Sequence, residues 1–114
     1  MLRPIPLKDS AGADLVPQAI ISKPISYFHD TLGIELTSDH DDLDDYEGAL
    51  LSFNEEWAFA LKHYKGHPAG TTTVYLPREF ESVETISRMI QRIVEELKLP
   101  SETLSWQRSD NPEL

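Results

Sequence analysis

The sequence predicts an α+β fold: a mainly antiparallel sheet of four or five strands, with one long helix packed on one face and a short N-terminal helix. β-rich runs separated by turn residues follow one another between residues 48 and 76, which is typical of an antiparallel meander. Apolar residues then recur at helical spacing between residues 83 and 97. The chain of 114 residues has the length of one ordinary domain, so we expect a single domain over residues 1–114.

The first third of the chain gives the weakest structural signals, because prolines at positions 4, 6, 17 and 24 each remove an amide donor. Leu2–Leu7 is compatible with an extended segment. Ile25 and Phe28 are spaced as one face of a helix, and Gly33 follows where a helix favours a left-handed C-terminal cap. This pattern predicts a short helix over Pro24–Leu32.

Three strands are predicted in the middle of the chain, at GALLSF (48–53), WAFALKHY (57–64) and TTTVYL (71–76). The turns between them are too short for a parallel crossover, so neighbouring strands run antiparallel. Alternation along the middle strand places Phe59 and Leu61 on the face that the core covers, and Ala60 and Tyr64 on the opposite face.

The strongest helix signal spans Val83–Leu97, where apolar residues recur three and four positions apart. Ser82 is suited to the N-cap, and Pro100 prevents the helix from continuing. After the helix, Leu104 and Trp106 alternate with polar residues, which predicts a last strand that returns to the sheet.

The composition excludes several kinds of chemistry. The chain has no cysteine, which removes thiol nucleophiles, disulfides and cysteine-ligated metals. Its formal net charge of −10 opposes binding to nucleic acid, and no apolar run approaches the ~20 residues that cross a bilayer. The N-terminus also lacks the apolar region of a secretory signal. We therefore expect a cytoplasmic protein with no cofactor, no nucleic-acid partner and no membrane contact.

No catalytic motif identifies an enzyme. The sequence contains no GxSxG nucleophile elbow, and the glycine-rich segment Gly66–Thr71 lacks the GK[ST] ending and the following helix that phosphate binding requires. A hairpin turn between two strands explains that segment. The sequence therefore favours a non-enzymatic protein.

The segment Thr37–Gly48, TSDHDDLDDYEG, contains six acidic residues and one histidine. Crowded carboxylates favour either the binding of a hard cation or an extended loop that faces water or a protein. The spacing does not match an EF-hand, since Leu43 or Tyr46 falls where a ligand is needed. We therefore expect a loop, and we predict that it contacts a basic partner surface through four aspartates, Asp41, Asp42, Asp44 and Asp45.

A metal site is the alternative for part of this region. His63 and His67 flank the end of a predicted strand and the turn after it, and imidazole is a common metal ligand. If Asp39 or Asp41 approached them, the cluster would suit iron, manganese or zinc. A histidine that ends a strand also commonly makes a local hydrogen bond, so the spacing leaves both interpretations open.

The sheet face opposite the long helix is a second candidate surface. Alternation predicts that this face exposes small residues around Tyr64 and Tyr75, and aromatic side chains of this kind anchor protein interfaces. Tyr64 and Tyr75 are therefore predicted partner-binding residues, and a homodimer through this face is compatible with the pattern. Alternatively, the proline-rich first third of the chain folds over this face.

The segment PISYFHDTLGIEL (24–36) resembles the helix-turn-strand segment of glyoxalase and bleomycin-resistance-like modules, in which a helix ending in Leu-Gly leads into a strand. The resemblance implies a βαβββ unit whose curved sheet holds a metal or a small molecule. It covers this segment alone and does not place the metal ligands of that family on this sequence.

The predicted function is that of a small acidic binding or regulatory protein that acts through protein–protein contacts. An inhibitor or immunity-type protein is one concrete form, because crowded carboxylates match a basic cleft and speed association. A small-molecule or metal-binding domain is the alternative, and it would use His63, His67 and the acidic segment.

Overall fold

A computed structural model describes residues 2–5, 15–40, 45–53, 57–78 and 82–107 of the chain. The helices in this part of the chain are α1 (Ile25–Asp30) and α2 (Val83–Glu96). The strands, in chain order, are β1 (Leu2–Ile5), β2 (Leu15–Ile21), β3 (Thr37–His40), β4 (Asp45–Phe53), β5 (Trp57–Tyr64), β6 (Thr72–Pro77) and β7 (Leu104–Gln107).

The strands form one antiparallel sheet in the order β1-β4-β5-β6-β2-β7, with β3 paired to β4 as well. β1 and β3 lie end to end along one side of β4, because β1 pairs with Leu50–Phe53 and β3 pairs with Asp45–Gly48. The predicted α+β class and the antiparallel meander, β4-β5-β6, are confirmed. The sheet has seven strands rather than the four or five predicted, because β2 and β3 were not expected.

The strand β2 was missed because Pro17 lies within it, and proline argues against an interior strand. β2 nevertheless lies between β6 and β7. Its pairing with β6 shifts register beside the proline, from Pro17 opposite Tyr75 to Ala19 opposite Val74. Gln18 is the extra residue of this β-bulge, which is where a sheet tolerates a missing amide donor.

The two helices begin and end close to the predicted residues. Ser82 caps α2, since its Oγ accepts a hydrogen bond from the Thr85 amide at 3.4 Å. α1 is shorter than predicted and is followed by Gly33, whose φ of +74° is favourable for glycine and whose amide donates to the His29 carbonyl at 3.0 Å. No helix in the described part of the chain is long and apolar enough to span a membrane.

The main core lies between the helices and one face of the sheet. Phe28 from α1, Ile86 and Ile90 from α2, and Phe59 and Leu61 from β5 are all at most 1% exposed and belong to one packed cluster. The face of β5 that alternation assigned to the core is therefore the one that the helices cover. Burial of such large apolar side chains is the main source of stability in a domain of this size.

Candidate functional site

Both ends of the acidic segment Thr37–Gly48 are strands rather than loop, so the predicted loop is wrong for residues 37–40 and 45–48. β3 and the first part of β4 pair antiparallel, with Thr37 opposite Gly48 and His40 opposite Asp45. Acidic residues are poor strand formers, which is why the pattern favoured a loop, but pairing along β4 overrides that weak local preference. We call these two paired segments, together with residues 41–44 that join them in the sequence, the acidic hairpin.

The acidic hairpin places acidic positions on two neighbouring strands at one end of the sheet. Asp39 lies opposite Tyr46, and Ser38 lies opposite Glu47, so the Asp39 position is on one face of the sheet and the Asp45 and Glu47 positions are on the other. Asp45 and Glu47 are exposed. Asp45 also accepts a backbone hydrogen bond from the Lys65 amide at 2.9 Å, which ties the hairpin to the end of β5.

The four aspartates predicted to contact a partner fall into two groups. Asp45 is an exposed residue at the first position of β4. Asp41, Asp42 and Asp44 belong to residues 41–44, which lie outside the described residues and join β3 to β4 in the sequence. The partner-binding role of all four aspartates stays a prediction.

The sheet face opposite the helices carries a second, smaller cluster. We call this side of the sheet the tyrosine face, after Tyr46, Tyr64 and Tyr75. Ala60 is 0% exposed, Tyr64 is 5% exposed and Tyr46 is 7% exposed, whereas Tyr75 is half-buried. The prediction that this face exposes Ala60 and Tyr64 is therefore wrong, and the accessible part of the tyrosine face lies around Tyr75.

The buried tyrosines contact one another across the strands. Tyr46 and Tyr64 are opposite each other on β4 and β5, and their rings meet edge to face with centroids 5.0 Å apart. The exposed His67 ring lies 5.5 Å from the Tyr64 ring. Ala60 lies opposite Leu50 on β4 and Tyr75 on β6, and these larger side chains flank it on the same face.

Lys62 lies at the centre of the tyrosine face. Its Nζ is 4.6 Å from the centroid of the Tyr46 ring and 5.0 Å from the centroid of the Tyr75 ring. These rings come from β4 and β6, the two strands that flank β5, so the ammonium lies between them. Both distances are within the range of a cation–π interaction.

Gly48 makes room for Lys62. The two residues are opposite each other on β4 and β5, and a Cβ at position 48 would lie 3.1 Å from the Lys62 Cγ and would collide with the Leu61 carbonyl oxygen. The sequence analysis missed Lys62 as a site residue. Its signal was the position of a lysine on the same strand face as Tyr64, but the glycine that lies opposite Lys62 can be identified only from the strand register.

The two candidate histidine ligands are held by separate local contacts. His63 donates its Nδ1–H to the Thr71 carbonyl oxygen at 2.8 Å, across the turn between β5 and β6. By alternation His63 belongs to the helix-covered side of β5, whereas His67 packs against Tyr64 on the opposite side. The structure thus supports the local hydrogen bond that was the alternative to a metal ligand.

The described residues include no group of three or more histidine, aspartate or glutamate side chains that could hold a metal ion. Of the predicted ligands, Asp41 lies outside the described residues, and only the backbone of Asp39 is described. A metal site that combines these aspartates with His63 or His67 therefore stays a prediction.

Thermal unfolding with and without added cations tests that prediction. We expect the midpoint to be the same in EDTA and in calcium, magnesium, manganese or zinc added singly. A cation that binds only the folded state at about a hundred times its Kd would add roughly 2.7 kcal/mol of stability and raise the midpoint by several degrees. Such a rise with one cation would establish a metal site.

Comparisons of the chain with protein-family models, with curated proteins and with solved structures find no match. The resemblance of residues 24–36 to glyoxalase-like modules gains no support from them, and the small-molecule function that it implies stays a prediction. A functional assignment for this chain therefore depends on its own residues.

Proposed function

We propose that this chain is a small, non-enzymatic binding or regulatory protein whose acidic hairpin contacts a basic surface on a protein partner. The observation that carries the proposal is the pairing of β3 with β4, which gathers the acidic positions Asp39, Asp45 and Glu47 at one end of the sheet. The formal net charge of −10 reinforces the negative potential there.

The energetics of the hairpin favour a basic partner. Asp45 and Glu47 are two residues apart on β4 and so share one face of the sheet, where their like charges repel one another. A complementary lysine- or arginine-rich surface would relieve that repulsion and would also accelerate the encounter of the two proteins. An inhibitor or immunity-type protein that covers a basic cleft is the concrete form that these properties suit best.

Affinity capture with matched bait proteins tests the proposal. The hairpin variant carries Asn at positions 41, 42, 44 and 45. The control variant removes four exposed acids elsewhere, as Glu84, Glu95, Glu96 and Glu102→Gln, so both variants lose the same formal charge. Circular dichroism and thermal unfolding establish that each bait is folded.

We expect the wild type and the control variant to retain a common partner that the hairpin variant loses, with retention that weakens as salt increases. Equal retention by all three folded baits would contradict the proposal. Loss of the partner by both variants would assign binding to net charge rather than to the hairpin, and would contradict it as well.

A further inference from the structure

Lys62 occupies a position in which two aromatic rings surround a cation. The Tyr46 and Tyr75 centroids lie 4.6 and 5.0 Å from its ammonium nitrogen. Rings within about 6 Å of a cation attract it through their negative faces, and proteins use such ring pairs and cages to recognise alkylated ammonium groups. The arrangement around Lys62 therefore has the chemistry of a cation site.

The site has a rigid side and an accessible side. Tyr46 is 7% exposed and is held against Tyr64, so its ring is fixed by packing. Lys62 and Tyr75 are half-buried and thus reach solvent. The Lys62 side chain is unbranched and flexible and lies over Gly48, so its ammonium changes position by side-chain rotation.

The surrounding charge also favours cations. Asp45 and Glu47 flank Tyr46 on β4 and by alternation lie on the other face of the sheet, so the charge that acts on the two rings is the formal net charge of −10 of the whole chain. A surface of one sign raises the local concentration of ions of the opposite sign. The negative net charge therefore favours the approach of cations, including to the half-buried Lys62 and Tyr75.

We propose that Tyr46 and Tyr75 form a binding site for an alkylammonium group, and that Lys62 is the competing cation that occupies it in the free protein. The ligand is either a small quaternary ammonium compound or the lysine side chain of another protein. The second source rests on the proposed function, whereas the site itself does not. Removal of the Lys62 charge should increase the affinity of the site for the alkylammonium ligand by roughly 2- to 30-fold. This factor corresponds to the free energy of one cation–π contact.

Two substitutions separate the charge of Lys62 from its packing. Lys62→Met keeps an unbranched chain over Gly48 but removes the cation, whereas Lys62→Arg keeps a cation. Each folded protein is titrated with tetramethylammonium chloride and, separately, with N-acetyl-lysine methylamide, while the NMR shifts of the Tyr46 and Tyr75 rings are followed. Sodium chloride at equal ionic strength and tert-butyl alcohol, a neutral molecule of similar size, are the controls.

We expect saturable shifts in Lys62→Met at concentrations 2- to 30-fold below those needed by the wild type, with Lys62→Arg resembling the wild type. Tighter binding of tetramethylammonium would identify a small quaternary ligand, and tighter binding of the lysine derivative would identify a protein side chain. Absence of saturable shifts in folded Lys62→Met, or equal shifts with tert-butyl alcohol, would overturn the proposal.

A measurement on the wild type covers the case in which Lys62→Met does not fold. The Lys62 side-chain protons next to nitrogen should be shielded by the two rings, and tetramethylammonium should move them towards the position of a free lysine. Unchanged Lys62 protons at saturating tetramethylammonium would overturn the proposal. Neither measurement uses a protein partner, so failure of the affinity capture would leave this result unaffected.

Discussion

Gly48→Ala is expected to destabilise the protein by about 1–3 kcal/mol, the usual cost of forcing an extra methyl group into a packed site. Alanine normally stabilises a strand relative to glycine by roughly 0.5–1 kcal/mol, so the expected sign is the reverse of the usual one. The reason is that the new Cβ would collide with the Leu61 carbonyl oxygen, a backbone atom that cannot rotate away. Separation of β4 from β5 at this point would also displace Lys62 from Tyr46.

Chemical denaturation of wild type and variant measures this effect. Gly33→Ala is the matched control, because a Cβ at Gly33 would meet nothing within 4 Å and the φ of +74° alone opposes alanine. Alanine in this left-handed backbone conformation should lower the free energy of unfolding by roughly 1–2 kcal/mol. A Gly48→Ala protein as stable as the wild type would show that β4 and β5 are not as close as the structure places them.

Gln18→Met is expected to stabilise the protein by about 1–3 kcal/mol. Gln18 is 1% exposed, and its Oε1 has no hydrogen-bond partner among the described residues. Other buried polar groups are satisfied, since the Thr72 and Thr103 hydroxyls donate to backbone carbonyls at 2.8 and 2.6 Å. A buried carbonyl oxygen without a partner destabilises the folded state by roughly that amount, and methionine has nearly the same shape without the polar atom.

The stability of Gln18→Met is measured by the same denaturation experiment, with Gln18→Glu as the paired variant. Glutamate would bring a charge into the same buried position and should destabilise the protein. If Gln18→Met were less stable than the wild type, Oε1 would be hydrogen-bonded in solution and the bulge in β2 would depend on that bond.

Much of the fold could be predicted because the signals are local. The middle strand was predicted at 57–64 and is β5 (Trp57–Tyr64), since the alternation and the flanking turn residues coincide. The long helix was predicted to start after Ser82 and to end before Pro100, and α2 does so. The residues that define each of these elements lie close to one another in the sequence.

The missed strands depend on contacts that are distant in the sequence. β2 contains Pro17 and is held by β6 and β7, about fifty and ninety residues further along the chain. β3 consists of Thr37, Ser38, Asp39 and His40, residues without strong strand preference, and it forms because β4 presents an edge to it. The local strand propensity of a segment does not predict which distant strand it pairs with.

The candidate site was predictable only in part. The acidic cluster is evident in the sequence, and so is the placement of Tyr64 and Tyr75 on the strand face opposite the core. The burial of Tyr64 and the position of Lys62 between two rings depend on side chains that meet across three strands. Such contacts require the register of β4, β5 and β6, which alternation alone does not define.

Association kinetics with the captured partner test the role of the acidic hairpin most directly. The rate constant is measured by stopped flow over a range of salt concentrations for the wild type, the hairpin variant and the control variant with four glutamines. We predict that the hairpin variant associates at least ~10-fold more slowly at low salt and shows a flatter salt dependence, while the control stays close to the wild type. Identical rates and salt dependence for the wild type and the hairpin variant would contradict a role of the acidic hairpin in partner binding.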